Sequence, residues 1–405
     1  MMLLVQEYLK HNSLSDLMRD HAVKARVVGH KASFNYDQIE AKDDDPVAQQ
    51  CRGLILSTAD GRPMPEEGPV GETCILAHPF YRFFNLGQGA AAPVDMHHPE
   101  TAIFEKLDGT LCIVYFDPFK NEWHVATRAV AEADLPVNGW EQYTFRTLFE
   151  KGLEETLKKG GVTFSEWTSV LSKDKTYMFE LCTPMNQVVV AHTDYRVTLL
   201  GARITETGEE LWPDQVKVAV PHVHRHRFGH VDEMLEFVRE RDPRQFEGVV
   251  CCQEVSPGRF IRVKIKNAQY LAYSRLKDAI SSPRNVMTLI LGGNLDDAFV
   301  VMPEEMQKQA LGWQEKIQRL LHDYRVQYDT LLTAVSCLTG TEPGSKEHRK
   351  AFAMTAQKIG IWFEPAMAQY SGKAKDALDF IEQKKGPNGD FQNSFLDYLL
   401  KVAGT

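Results

Sequence analysis

The hydrophobic pattern of this chain changes near residue 280, and this change constrains the fold more than any other feature. Before it, short runs of β-branched and aromatic residues alternate with Pro, Gly and Asn, as in strands joined by turns. After Ala268, apolar residues from Met306 to Leu332 recur at three-to-four spacing, which is typical of one long helix with a buried face. The sequence therefore predicts an α+β fold, with a β-rich domain over residues 1–280 and an all-helical domain over 281–405.

Shorter patterns predict individual elements. Apolar spacing indicates helices over residues 2–20 and 141–159, and short apolar runs indicate strands over 177–181 and 188–191. Two further runs, 248–253 and 260–265, surround Pro257-Gly258 and predict a hairpin.

Composition limits the classes of function. A net charge of −9 argues against a protein that coats nucleic acid non-specifically, although it leaves room for a local basic groove. The seven cysteines are scattered, which favours reduced thiols in the cytoplasm. No apolar run approaches the roughly 20 residues that a membrane helix needs, and Glu7 and Lys10 interrupt the first apolar stretch. We therefore expect a cytoplasmic protein with no membrane partner and no secretory signal.

Lys106 begins the sequence Lys106-Leu107-Asp108-Gly109, between two strand-like apolar runs. A nucleophilic lysine must be held near an electrophile and must lose its proton near neutral pH, which burial or nearby cations promote. The motif is short, and a turn after a strand is its ordinary interpretation. Further charged residues on strand-like segments make a nucleophilic lysine the better interpretation.

These further residues supply the chemistry of phosphate binding. Lys264 and Lys266 alternate with apolar residues, so both should point from one face of a strand. Two lysines can neutralise a phosphate, two glutamates at strand ends (Glu180 and Glu247) can hold a divalent cation, and Arg52 can add planar contacts. Each has a structural alternative: a solvated strand face for the lysines, a carboxylate paired with a partner for Glu180, and a structural ion pair for Arg52.

As a set, these motifs resemble the covalent nucleotidyltransferase superfamily, and within it the RNA ligase 1 family of tailed phages. They follow that family's order and similar spacing: Cys51-Arg52-Gly53, Phe83-Phe84-Asn85, Lys106-x-Asp108-Gly109, Phe179-Glu180-Leu181, Glu247-Gly248 and Lys264-Ile265-Lys266. The helical tail is also similar, notably at Asp296-Asp297 and Arg349-Lys350-Ala351. The resemblance covers nearly the whole chain.

The resemblance implies an antiparallel-sheet nucleotidyltransferase domain followed by a helical C-terminal domain. It implies an ATP-dependent RNA ligase that joins 5′-phosphate and 3′-hydroxyl RNA ends through lysyl–AMP and RNA–adenylate intermediates. Lys106 would be the nucleophile, and Lys264 and Lys266 would stabilise phosphate charge. Together with a bound cation they would lower the pKa of Lys106, and Glu247 would complete the catalytic set. ATP with Mg²⁺ or Mn²⁺ would be required. The partner of the monomeric protein would be single-stranded RNA or a tRNA with a broken anticodon loop.

The same resemblance implies the remaining site residues. Besides Glu247, Lys264 and Lys266, the nucleotide-binding set would be Phe34, Tyr36, Arg52, Arg82, Asp108, Gly109, Arg128, Glu180 and Tyr270. The metal ligands would be Glu180, Glu247 and Asp296. Arg82 and Arg128 stand where the family has lysines, and Phe34 where it has a tyrosine. Tyr270 could equally pack in the core, and Asp296 could equally begin a helix.

Two other classes of function stay open. A DNA ligase or an mRNA-capping guanylyltransferase shares the lysine chemistry but typically continues into a barrel of short strands, whereas this chain turns helical. A catalytically inactive RNA-binding relative would have no need of all the charged residues together.

Four histidines form a separate cluster in the sequence, His222, His224, His226 and His230. A metal site would need a cysteine or carboxylate to complete the ligand set, and Arg225 and Arg227 interleave positive charge instead. We interpret this segment as a solvated surface that could touch RNA.

Overall fold

A computed structural model describes residues 2–37, 40–137, 140–157, 163–271, 274, 283–291, 304–383, 397–399 and 401. The chain divides into two compact units, Met1–Ala272 and Tyr273–Thr405. The first combines antiparallel sheets with short helices, and the second is helical where the structure describes it. The predicted α+β class is confirmed.

Strands dominate the first unit. In chain order they are β1 (Val23–Val28), β2 (Lys31–Tyr36), β3 (Arg52–Thr58), β4 (Thr73–Ala77), β5 (Phe84–Asn85), β6 (Ala102–Lys106), β7 (Thr110–Asp117), β8 (Glu122–Thr127), β9 (Pro136–Val137), β10 (Trp140–Thr144), β11 (Lys175–Cys182), β12 (Arg196–Ile204), β13 (Glu210–Leu211), β14 (Arg225–His226), β15 (Gly248–Ser256) and β16 (Arg259–Lys266). The sheets have the orders β1-β2-β3-β4, β13-β12-β11-β7-β8 and β14-β6-β15-β16-β5, and β9 pairs with β10. The pairing of β16 with β5 is parallel, and the other pairings are antiparallel.

The helices of the first unit are short. They are α1 (Leu4–His11), α2 (Leu14–His21), α3 (Pro46–Gln50), α4 (Phe145–Leu157), α5 (Phe164–Thr168) and α6 (Val231–Glu240), with a 3₁₀ turn at Pro213–Gln215. The single helix predicted over 2–20 is wrong, because the Ser13 side chain accepts a hydrogen bond from the Asp16 amide and starts a new helix. The predicted 141–159 helix begins only at Phe145, since 140–144 form a strand.

Two five-stranded sheets position the charged residues. β6 ends at Lys106, and residues 107–109 lead directly into β7 of the neighbouring sheet. On β11, Phe179 and Leu181 pack with Phe149 and Leu153 of α4. Because side chains alternate along a strand, Glu180 then faces the opposite side. The segment 188–191 forms no strand, contrary to the prediction.

A buried ionic cluster joins β2 to β7. Lys31 Nζ lies 3.2 Å from Asp117 Oδ2 and 2.9 Å from Glu132 Oε1, and the side chains of Lys31 and Asp117 are both 0% exposed. His30 Nε2 lies 2.9 Å from the same Asp117 oxygen. Each buried charge is therefore compensated by a partner.

The second unit is built from α7 (Pro283–Leu291), α8 (Glu304–Thr339), α9 (Lys346–Ala356), α10 (Phe363–Tyr370) and α11 (Ala377–Gln383), with a 3₁₀ segment at Gln357–Trp362. The buried face of α8 presents Ile317, Tyr324, Tyr328 and Val335 to a core that contains Phe352. The three-to-four spacing predicted Ile317, Tyr324 and Tyr328 on this face. None of the described helices is both long and apolar enough to cross a bilayer.

Candidate active site

Lys106 and Lys266 share one carboxylate. Lys106 Nζ donates to Glu247 Oε2 at 2.8 Å, and Lys266 Nζ lies 2.8 Å from Glu247 Oε1. The sheet register explains this arrangement, because Gly248 of β15 pairs with Lys106 on one side and with Lys266 on the other. The two lysines thus lie two strands apart, on either side of the residue that follows Glu247.

Gly248 is required by this close packing. A Cβ atom there would lie 2.2 Å from the Ile265 carbonyl oxygen and 2.8 Å from the Lys266 Cα, and the residue has φ of +154°. A larger residue would push β16, and with it Lys266, away from Glu247.

The charge on Lys106 is stabilised in this structure. Burial opposes the charged form, but attraction by Glu247 and then by Glu180 outweighs it and raises the pKa of Lys106. Lys264 and Lys266, which together with a bound cation were expected to lower the pKa of Lys106, do not outweigh the attraction by Glu247. The physical reason is that Glu247, only 3% exposed, contacts both Lys106 and Lys266 and offsets the repulsion between them.

Lys264 and Arg52 lie near the same aromatic ring. Lys264 Nζ is 5.1 Å and the Arg52 guanidinium 5.4 Å from the centre of the Phe83 ring. Burial, with repulsion by Lys106 and Arg52, lowers the pKa of Lys264 to about 7. Burial also lowers the pKa of Arg52 to about 10, with a contribution from Arg128. Within the described residues, neither Lys264 nor Arg52 forms an ion pair with a carboxylate.

Glu180 completes the charged set. It lines a cleft together with Lys106 and Arg52, and the walls of that cleft include Phe83, Phe104, Leu211, Trp212 and Val223. Burial, reinforced by Glu247 and opposed by Lys106, raises the pKa of Glu180 to about 7. The cleft offers cations and an acidic group beside apolar walls, a combination suited to a nucleotide.

Asp108 holds the segment that follows the nucleophile. Its Oδ2 accepts from the backbone amides of Val189 (2.7 Å) and Val190 (2.6 Å), and its Oδ1 accepts from the Tyr270 hydroxyl at 2.9 Å. Both oxygens are engaged within the protein, so Asp108 and the buried Tyr270 position the loop and are not placed to contact a nucleotide. Gly109 lies so close to β11 that a Cβ would be 2.4 Å from the Leu181 carbonyl oxygen, which gives this glycine a packing role as well.

Phe34, Arg82, Tyr36 and Asp296 differ from the other predicted site residues. Phe34 is 0% exposed inside the core of the first sheet, so its expected stacking on a nucleotide is wrong. Arg82 Nη2 lies 2.5 Å from Asp43 Oδ1, and the Arg82 guanidinium carbon lies 4.4 Å from the centre of the Tyr36 ring. The two predicted site residues Arg82 and Tyr36 therefore contact each other. Asp296 lies outside the described residues.

Several residues of the cleft were not predicted. Glu210 accepts from Arg203 and Arg262, and the Arg262 guanidinium lies 4.3 Å from the Phe80 ring centre. Arg262 could have been found, since it continues the alternation of Lys264 and Lys266 on β16. Glu210 and Trp212 carried no comparable signal, because only the fold brings β13 to the cleft.

Sequence comparisons give a consistent picture. No protein-family model matches the chain. The chain is similar to an RNA ligase of Rhodothermus phage RM378, with 24% identity over 388 residues, 83% of this chain and 84% of the phage protein. It is 26% identical over 320 residues to a candidate RNA ligase of Thermovibrio ammonificans, 76% of this chain and 73% of that protein. A candidate bifunctional polynucleotide kinase/RNA ligase of Autographa californica nuclear polyhedrosis virus is 26% identical over 283 residues, 67% of this chain and 37% of the viral protein.

Among solved structures, an archaeal ATP-dependent RNA ligase superposes with a TM-score of 0.41 at 11% identity, covering 89% of this chain and 94% of that one. A candidate ATP-dependent DNA ligase from Aquifex aeolicus gives a TM-score of 0.40 at 14% identity, covering 86% and 88%. The sequence relationships agree with the resemblance expected from the motifs: over most of its length this chain is similar to proteins named as RNA ligases.

Proposed function

We propose that this protein is an ATP-dependent RNA ligase that joins 5′-phosphate and 3′-hydroxyl RNA ends. One observation carries the proposal: Lys106 and Arg52 line one cleft, and Lys264 Nζ lies 5.1 Å from the centre of the Phe83 ring, which lines the same cleft. Among the described residues, neither Lys264 nor Arg52 forms an ion pair with a carboxylate. Such cations suit a polyphosphate, and the apolar walls suit a base. The two relatives matched over most of their length are named as RNA ligases.

The first step would be adenylylation of Lys106. The neutral amine attacks the α-phosphorus of ATP, the bond from that phosphorus to the bridging α–β oxygen breaks, and pyrophosphate leaves with the electron pair. The amine loses a proton as the P–N bond of lysyl–AMP forms. Lys264 and Arg52 would stabilise the charge on the phosphate oxygens, which is the main task in phosphoryl-type transfer.

Two further steps return the enzyme to its starting state. An oxygen of the RNA 5′-phosphate attacks the same phosphorus, which releases Lys106 and gives RNA–adenylate. The RNA 3′-hydroxyl then attacks the 5′-phosphate, loses its proton and displaces AMP. The net result is one phosphodiester bond, AMP and pyrophosphate.

The donor set fits a Mg²⁺ or Mn²⁺ ion held by one or two carboxylates and substrate phosphates. Glu247 and Glu180 supply hard oxygen ligands near Lys106. The described residues contain no group of three or more His, Cys, Asp or Glu side chains that would enclose a metal, so substrate oxygens would complete the coordination. The cation would neutralise phosphate charge. Engagement of Glu247 by it would also remove the acceptor that stabilises the charged form of Lys106.

The nucleotide and the nucleophile are tested by covalent labelling. The protein is incubated with α-labelled ATP or GTP and Mg²⁺, and the adduct is located by intact and peptide mass spectrometry. We expect ATP to label Lys106. The label should be lost in Lys106→Ala and kept in Lys120→Ala, a control at an exposed lysine. Undiminished labelling of Lys106→Ala would refute the assignment, and preferential labelling by GTP would favour a capping enzyme.

The polynucleotide is tested by sealing. Single-stranded RNA with a 5′-phosphate should be circularised, whereas preferential sealing of nicked duplex DNA would favour a DNA ligase. Adenylylation without sealing of either substrate would contradict the ligase proposal.

The physiological substrate is a further proposal. We infer a tRNA with a broken anticodon loop, acted on by a monomer in the cytoplasm, because the helical tail resembles that of the RNA ligase 1 family. The seven cysteines are free, which suits a reducing compartment.

A further inference from the structure

A second cleft of the first unit is lined by basic residues that the proposed reaction does not use. It lies beside β6 and β14, and we refer to it as the histidine–arginine cleft. Its titratable lining residues are His97, His98, Arg225, His226, Arg227 and His230. No Asp or Glu of the described chain lines it, although the protein as a whole carries a net charge of −9. A surface of this kind attracts anions.

Arg227 is available to a ligand in this cleft. It is exposed and forms no ion pair with the residues that the structure describes. Two carboxylates close by are engaged with the backbone: Glu233 accepts from the Gly229 amide at 2.7 Å, and Asp95 from the His97 amide at 3.0 Å. Glu233 Oε2 also lies 3.9 Å from His230 Nδ1, so His230 is a lining residue of this cleft with a carboxylate nearby.

Aromatic packing supports one wall of the cleft. His226 stacks on Phe228, with ring centres 5.8 Å apart, and also contacts Phe237. His226 is therefore fixed in the structure, and Phe228 lines the cleft beside it. Basic groups next to an aromatic ring form the combination that binds single-stranded nucleic acid, through phosphates and stacked bases.

Shared lining residues connect this cleft with Lys106. A neighbouring depression shares His226 with the histidine–arginine cleft. The same depression shares Glu105 and Gln245 with a third depression, and Lys106 lines that third one. All three follow β6, whose five residues end at Lys106. At about 3.3 Å per residue, the path from Thr101 to Lys106 is roughly 17 Å long. This distance exceeds the size of one nucleotide.

We infer that the histidine–arginine cleft binds the phosphodiester backbone of the single-stranded RNA whose end reacts at Lys106. The inference rests on the proposed ligase function and extends it to a subsite for nucleotides away from the reacting end. Contacts with phosphates hold the strand in register without reading its sequence. The subsite should therefore increase affinity for longer RNAs without altering adenylylation.

The experiment compares two charge reversals that change the net charge equally. Arg227→Glu alters the cleft, and Arg239→Glu alters an exposed arginine of α6 that does not line it. The probe is a fluorescent, 5′-phosphorylated single-stranded RNA of about 12 nucleotides, within the span of known single-strand sites, measured by anisotropy without ATP. We expect Arg227→Glu to raise the dissociation constant for this RNA at least about fivefold. The slope of log affinity against log salt concentration should fall by about the amount that one phosphate contact contributes. Arg239→Glu should stay within about twofold of the wild type.

A dinucleotide probe and AMP labelling separate the possible outcomes. A 5′-phosphorylated dinucleotide is too short to reach the cleft from Lys106, so Arg227→Glu should bind it as the wild type does. Both variants should label Lys106 with AMP normally, which also shows that they fold. Equal weakening by the two reversals, or equal loss for the long and short RNAs, would overturn the inference. Absence of AMP labelling in the wild type would instead refute the proposed function, whatever the RNA affinity.

Discussion

Replacing Glu247 by Gln should make the Lys106 amine more nucleophilic in the absence of nucleotide. The two groups are 2.8 Å apart, so their attraction amounts to about 6 kcal/mol at an effective dielectric constant near 20 and about 1.5 kcal/mol in bulk water. Lys106 is 23% exposed, so screening brings the true value between these limits. Even the lower limit corresponds to about a tenfold larger neutral fraction at a given pH. Glu247→Gln also exposes Lys106 to the uncompensated charge of Lys266, which acts in the same direction.

The assay is competitive acylation of the amines, read by peptide mass spectrometry between mildly acidic and alkaline pH. Lys106 should react at least about tenfold faster near neutral pH in Glu247→Gln than in the wild type, with the exposed Lys120 as an internal reference. Glu105→Gln is the matched control, because Glu105 is adjacent in sequence but is not the hydrogen-bond partner of the Lys106 amine. Equal reactivity of Lys106 in the wild type and Glu247→Gln, or an equal rise in Glu105→Gln, would refute the electrostatic reasoning.

Three further predictions concern stability and the geometry of the sheet. Lys31→Met should cost about 3–5 kcal/mol in urea unfolding because it removes the fully buried cation that pairs with both Asp117 and Glu132, whereas Lys24→Met, at an exposed lysine, should cost much less; similar costs would contradict the burial argument. Gly248→Ala should abolish AMP labelling because its Cβ meets the β16 backbone, while Gly68→Ala, at a positive φ with open space, should not; normal labelling of the first would count against a rigid β15–β16 packing. In the folded protein the pKa of Glu180 is about 7, above its ordinary 4.5. The folded state therefore binds a proton that the unfolded state has lost, and the free energy of unfolding falls as pH rises from about 4.5 to 7. Glu180→Gln should flatten the plot of unfolding free energy against pH in this range, and an unchanged slope would rule the contribution out.

The sequence predicted the site best where strand periodicity fixes the direction of side chains. Lys264 and Lys266 were expected on one face of a strand, and the structure has them on β16 near Phe83 and Glu247 respectively. Glu180 faces away from α4 because Phe179 and Leu181 are packed against that helix on the other side of the strand. Such residues can be recognised from local spacing alone, since burial of one face determines the other.

The errors arose where the partner of a side chain is distant in sequence. Phe34 was assigned to a nucleotide pocket because it stands where the family has a tyrosine, but the sheet buries it. Asp108 was expected to contact the nucleotide, whereas the amides of Val189 and Val190, about 80 residues away, occupy its carboxylate. The pKa of Lys106 was expected to be lowered, and Glu247, separated by 141 residues, raises it.

By itself, the sequence determined the α+β class, the helical second part, the resemblance to RNA ligases and the identity of the charged residues. These properties depend on periodicity and on the order of short motifs, which the chain carries locally. Only the tertiary structure decided which charges neutralise one another, which motif residues serve as supports and where basic residues outside the motifs gather. Electrostatic energy and burial depend on distances between atoms, and the packing of β6, β15 and β16 sets those distances.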